Sequence, residues 1–149
     1  MAEFAEDEEI LEFAIVREVD ANLFYLKLAA RVKDPEMRKM FMQLADEELE
    51  HKAKLELELM KLGRVVGDKP GEPGEQGILN ADETDLDVTY RDMLIMGMKK
   101  EETSFRLYVD LAGRVTDPGS KETLLSLAEE EVRHKLRFQM EYEKVLKEE

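Results

Sequence analysis

The only two histidines of the chain, His51 and His134, each stand three residues after a glutamate, Glu48 and Glu131. Residues at that spacing project from one face of a helix about one turn apart. A carboxylate paired with a neutral imidazole is a donor set for a divalent cation. Two more glutamates, Glu18 and Glu101, interrupt apolar stripes that are otherwise suited to burial. Four carboxylates brought together away from water would be very costly without counter-charge, and the stripes contain no Lys or Arg. Two divalent cations would balance the four negative charges with the imidazoles neutral. Carboxylates and imidazoles without thiolates suit iron or manganese better than structural zinc.

The elements that must position these six residues are four helices. Apolar residues recur in steps of three and four at Leu11, Ile15, Tyr25, Ala29 and Val32, with Glu18 and Asn22 at the polar places of the same series. A second series runs through Met37, Phe41, Leu44, Glu48, His51, Leu55 and Leu62, with Leu59 beside it. A third holds Leu94, Met98, Glu101, Phe105, Tyr108, Ala112 and Val115, and a fourth Leu124, Leu127, Glu131, His134, Phe138 and Val145. Such stripes face partner helices. Asp34-Pro35 and Asp117-Pro118 each supply an N-cap followed by a proline at the first helical position. The helices are therefore expected at about 6–33, 35–62, 85–115 and 118–147, in one domain over 1–149. The Gly- and Pro-rich stretch 63–84 reads as an irregular crossover. The alternation at Leu86–Tyr90 and Leu55–Leu59 is read as helix, because each run adjoins a long helical pattern with no turn signal between.

The two halves repeat at an offset of 83 residues, with 16 identities in 49 aligned positions and no gap. Glu18 pairs with Glu101, Tyr25 with Tyr108, Asp34-Pro35 with Asp117-Pro118, Glu47-Glu48 with Glu130-Glu131, and His51 with His134. Each half is thus an antiparallel hairpin. Glu18 lies 16 residues before Asp34, and Glu48 and His51 lie 14 and 17 after it. The hairpin sets all three at one height, about 24 Å from the turn at 1.5 Å per residue. The second hairpin repeats these spacings, so hairpins packed stripe to stripe would bring all six side chains together. The crossover is long enough to travel the length of a helix, which makes the second and third helices parallel. The fold class expected is all-α, a four-helix bundle of two hairpins joined by a long crossover.

Charge and composition narrow the rest. The 36 acids and 22 bases leave a net charge of −14, which disfavours nucleic acid and anionic membranes as partners. Absence of cysteine removes disulfides, thiolate metal sites and cysteine nucleophiles. No apolar run is long enough to span a bilayer. The acidic first residues lack the pattern of a signal peptide, so a cytoplasmic protein is expected.

With two Glu-x-x-His runs in register with two stripe glutamates, the chain resembles the ferritin-like di-iron carboxylate superfamily over nearly its whole length. It is most similar to rubrerythrin-type proteins and, in its site, to bacterioferritin. The resemblance implies a ferritin-like bundle with two iron ions, or manganese or a mixed pair, that react with hydrogen peroxide or dioxygen. It implies Glu18 and Glu101 as terminal ligands, Glu48 and Glu131 as bridging ligands, and His51 and His134 each on one metal. Tyr25 and Tyr108, two turns beyond Glu18 and Glu101, would hydrogen-bond ligand carboxylates. Glu47 and Glu130 are read as flanking acids rather than ligands. Two features depart from rubrerythrins. Without cysteine the chain carries no rubredoxin domain, so an external redox protein must donate electrons. The positions a turn from Glu101 (Gly97, Met98, Ser104 and Phe105) hold no additional acid, which leaves a more symmetric site. A homodimer is a family-level expectation. An oxidoreductase of peroxidase or ferroxidase type, an iron-handling protein without turnover, and a bundle whose metal serves stability alone all remain open at this point.

Overall fold

The structure, a computed structural model, describes residues 6–64 and 89–148. Four helices make up these segments: α1 (Asp7–Arg31), α2 (Pro35–Lys61), α3 (Tyr90–Ala112) and α4 (Pro118–Glu148). Among the described residues there is no strand, and no helix is long and apolar enough to cross a membrane.

The two Asp-Pro signals start α2 and α4. Asp34 accepts hydrogen bonds from the backbone N–H of Glu36 at 2.9 Å and of Met37 at 3.5 Å. Asp117 accepts from the Ser120 N–H at 2.8 Å and its hydroxyl at 2.9 Å. These bonds satisfy donors that lack an intrahelical partner. At the other end of α1, Arg38 donates to the carbonyls of Ala29 and Val32 and complements the helix dipole. α2 stops at Gly63, whose φ of 89° suits a residue without Cβ, and Arg64 N–H closes the turn onto Leu59 O.

One helix start differs from the sequence reading. α3 begins at Tyr90 rather than near residue 85, because Thr89 is extended and forms a reciprocal cap with Asp92. That capping box ends the backward extension of the periodic pattern. The helix also ends at Ala112, short of Val115, and α1 ends at Arg31. The crossover beyond Arg64, and Leu86 to Val88 of the alternating run, lie outside the described residues; Leu55–Leu59 is helical.

Two apolar clusters fill the bundle. One joins Leu11 and Ile15 of α1, Leu55 and Leu59 of α2, Tyr108 and Leu111 of α3, and Leu124 and Leu127 of α4. The other joins Tyr25 and Leu28, Phe41 and Leu44, Leu94, and Phe138 from the same four helices. The first cluster collects the start of α1, the end of α2, the end of α3 and the start of α4. α2 and α3 therefore run in the same direction and each hairpin is antiparallel, as a long crossover requires. Each large apolar side chain buried here contributes about 1.5–3 kcal/mol relative to exposure. All six candidate polar residues lie between the two clusters, each at most 3% exposed.

Candidate metal centre

Each helix delivers its polar residues from the middle of its buried stripe: Glu18 from α1, Glu48 and His51 from α2, Glu101 from α3, Glu131 and His134 from α4. The two imidazole rings stack nearly parallel, with centroids 5.8 Å apart and planes 7° apart. Both turn Nδ1 toward the carboxylates. His51 Nδ1 is 3.5 Å from Glu18, 3.6 Å from Glu48 and 3.4 Å from Glu131. His134 Nδ1 is 3.5 Å from Glu101, 3.5 Å from Glu48 and 3.4 Å from Glu131. Glu48 and Glu131 thus each reach both imidazoles through Oε1, while Glu18 reaches only His51 and Glu101 only His134. One donor atom from each of Glu48, His51, Glu131 and His134 falls within 4.8 Å of every other.

These atoms are short of partners. Both oxygens of Glu48 and of Glu131, one oxygen of Glu18 and of Glu101, and both Nδ1 atoms are buried and make no hydrogen bond. Among the described residues no Lys or Arg forms an ion pair with any of the four carboxylates. Buried polar atoms are rarely left unpaired, and a cluster of so many, all facing one another, fits cations held between them.

The electrostatics agree. Burial lifts Glu18 to about 7 against the pull of His51, and burial together with the charge of Glu131 lifts Glu101 to about 8. Burial and the charges of Glu131, Glu18 and Glu101 push Glu48 well above the carboxylate range. Burial disfavours the charged ring of His134, yet Glu101 and Glu131 push it up to about 10. Burial would raise Glu131 as well, but the two imidazoles outweigh it and hold Glu131 low. Protons take up part of the charge that cations would otherwise balance.

The two tyrosines differ. Tyr25 donates its hydroxyl hydrogen bond across the bundle to Glu101 Oε1. Burial and the charges of Glu101 and Glu48 push that hydroxyl well above its ordinary value, so it remains a donor. Tyr108 is equally buried, within the apolar cluster around Leu111 and Leu124, and among the described residues no hydrogen bond joins it to Glu18. Asn22 bonds the carbonyl of Ala45 at 2.9 Å instead of facing the cluster.

Glu47 and Glu130 do more than flank. Glu130 Oε2 lies 3.2 Å from His51 Nε2, and Glu47 Oε2 lies 3.6 Å from His134 Nε2. Each acid faces the outer nitrogen of the opposite hairpin's imidazole. The repeated Glu-Glu-x-x-His spacing carried the signal, since it is the position four residues before one histidine that meets the other.

Comparison with known proteins matches residues 9–142 to the profile of the rubrerythrin family. Among solved structures, a hypothetical protein from Pyrococcus furiosus is 27% identical with a TM-score of 0.72, over 97% of this chain and 93% of that one. A Thermotoga maritima protein, proposed to be a ferritin-like diiron-carboxylate protein, is 19% identical with a TM-score of 0.74, over 97% and 99%. At that identity the second likeness is one of fold. No curated protein sequence matches the chain significantly.

Proposed function

This chain belongs to the rubrerythrin family, and from that premise we propose that it is an iron oxidoreductase that reacts Fe(II) with hydrogen peroxide or dioxygen. The observation that carries the reading is the set of unpaired, buried donor atoms of Glu18, Glu48, His51, Glu101, Glu131 and His134. In this reading these residues hold two metal ions, iron in both positions or iron with manganese. Glu48 and Glu131 are the bridging ligands, which their equal reach to both imidazoles supports. Glu18 and Glu101 are the terminal ligands, each beside one imidazole only.

Bound iron would supply the electrons for reduction of the oxidant. The protein's own part is geometry, charge and exclusion of water. The four carboxylates match the charge of two divalent cations. Tyr25 orients Glu101 by its hydrogen bond. The two apolar clusters close the layer above and below. An external redox protein returns electrons, since the chain has no cysteine with which to bind its own rubredoxin-type iron. A cytoplasmic homodimer completes the reading.

Stopped-flow absorbance after mixing Fe(II)-loaded protein with peroxide or dioxygen tests it. Oxidation much faster than that of free Fe(II) is expected. Oxidation no faster than free iron would contradict the enzyme and leave an iron-handling protein.

A further inference from the structure

The outer face of the second hairpin carries an apolar stripe that no described residue covers. On α4 it runs through Leu125, Val132, Leu136 and Met140, of which only Val132 is partly buried, and exposed Val109 of α3 lies beside it. Between the two helices lies an open groove of about 290 Å3, lined by Glu102, Phe105, Val132, Lys135, Leu136 and Gln139. An ion pair of Lys135 with Glu102 crosses it. The charges flanking the stripe are balanced. Arg106 pairs with Glu102 at 3.0 Å and Arg133 with Glu129 at 3.1 Å, each along its own helix, and both arginines are exposed. In a chain of net charge −14, a balanced face is where a second copy can approach without repulsion. The internal repeat separates this face from its mate on the first hairpin. That hairpin also exposes apolar residues, Met42, Leu49 and Leu57 of α2. The positions matching Glu102, Arg106, Glu129 and Arg133, however, hold Val19, Leu23, Asp46 and Glu50. At those positions two copies would bring together acids with no base to meet them.

We infer that a second copy of the chain docks on this α3/α4 face, about a twofold axis parallel to the bundle, with α3 of each copy over α4 of the other. This rests on the homodimer of the proposed function and adds where it forms. α3 and α4 are antiparallel, and the Glu102–Lys135 ion pair sets those two residues at one height. Arg106, four residues on, is therefore level with position 131 of α4. A twofold axis parallel to the helices preserves height. Glu102 of one copy then meets Arg133 of the other, and Arg106 meets Glu129, each pair about 3 Å apart along the bundle at 1.5 Å per residue. Opposite signs face each other at both places, and the symmetry repeats each pair. The apolar stripe, with Leu136 at its middle, closes on the groove of the other copy and supplies the affinity. The flanking charges contribute less energy but select this register and this partner.

Sedimentation equilibrium of the intact chain over a range of concentrations tests the inference. Wild type is expected to dimerise. Leu136→Glu should weaken the dimer by about 30-fold or more, as loss of an apolar anchor does. Leu49→Glu, at a similarly exposed leucine of the first hairpin, should leave it unchanged. Arg106→Glu and Glu129→Arg should each weaken it by about tenfold or more, because like charges then face each other. Their combination exchanges the pair and should restore most of the lost affinity. These two positions lie on the surface, so the charge exchange decides the matter should Leu136→Glu fail to fold. An unchanged dimer in Leu136→Glu, loss of the dimer in Leu49→Glu, or a double variant no better than the singles would each overturn the α3/α4 interface. Wild type that stays monomeric at every concentration would refute the homodimer itself and this face with it. A wild-type dimer that survives in every variant would refute this face alone.

Discussion

Tyr25 of α1 hydrogen-bonds Glu101 of α3, whereas its repeat mate Tyr108 makes no matching bond to Glu18. The internal repeat gives a nearly twofold set of buried carboxylates and imidazoles, but the residues around them are not equivalent. Tyr25 stacks on Phe138 with centroids 5.8 Å apart, and Phe138 packs over Gly97. Gly97 has no counterpart packed this way in the first half, where Ala14 stands at the matching position.

Tyr25→Phe is expected to destabilise the protein by about 1–3 kcal/mol, since it strips a buried carboxylate of its donor. Tyr108→Phe, which breaks no such bond, should cost clearly less. Chemical denaturation of the two variants side by side checks the asymmetry, and equal losses would contradict it.

Gly97→Ala should be destabilising although alanine favours helix. A Cβ at this position would lie 2.7 Å from the Phe138 ring. Overpacking costs about 1–3 kcal/mol, against about 1 kcal/mol gained in helix propensity. Because Phe138 also stacks on Tyr25, the same variant should weaken metal binding. A melting temperature at or above wild type would show that the ring gives way freely.

Metal-free protein should lose stability as pH rises from about 5 toward 9. Glu18 and Glu101 hold protons in the folded state up to about 7 and about 8, and Glu48 is likewise pushed well above the carboxylate range. In the unfolded chain such groups release them near 4.3. The folded state binds more protons over this interval, so stability falls with rising pH. His134, pushed up to about 10, acts in the same direction: its contribution is full below about 6.5 and is lost as pH rises through the folded value. Glu131, held low, acts oppositely and only in the acid range. Melting temperature against pH checks this, and saturating Zn2+ should flatten the slope.

The acid limb should depend on Asp7. Its carboxylate accepts from Thr116 N–H and hydroxyl, both at 2.9 Å, and from Asp117 N–H at 2.8 Å, tying the start of α1 to the turn before α4. Burial is the largest single influence and raises its pKa, but the three bonds together outweigh it and hold Asp7 below its ordinary value. The stabilisation is present above the unfolded value and lost as pH falls through the folded one. Asp7→Ala should cost about 1–2 kcal/mol near neutrality, and the difference from wild type should shrink below about pH 4.

Much of this architecture was legible before any coordinates. Steps of three and four placed Leu11, Tyr25, Phe41, Leu44, Leu124 and Phe138 inside, because burial of a helix stripe imposes that period. The repeat and the two Asp-Pro caps set the heights of the six polar residues, which do meet in one layer. What escaped was short-range or depended on a third body. Thr89 and Asp92 form a cap that the helical period masks. Tyr108 differs from Tyr25 through its surroundings alone, which an aligned repeat cannot reveal. The contacts from Glu130 to His51 and Lys54 join residues 79 and 76 positions apart, so only docking of the two hairpins exposes them.

The central claim is that the six buried residues hold two metal ions. Its most direct test is metal content by elemental analysis after anaerobic Fe(II) loading and removal of free iron, for wild type and for Glu48→Ala and Glu131→Ala. Wild type is predicted to retain about two metals per chain, and each variant clearly fewer. One metal or less in wild type, or unchanged content in both variants, would contradict it.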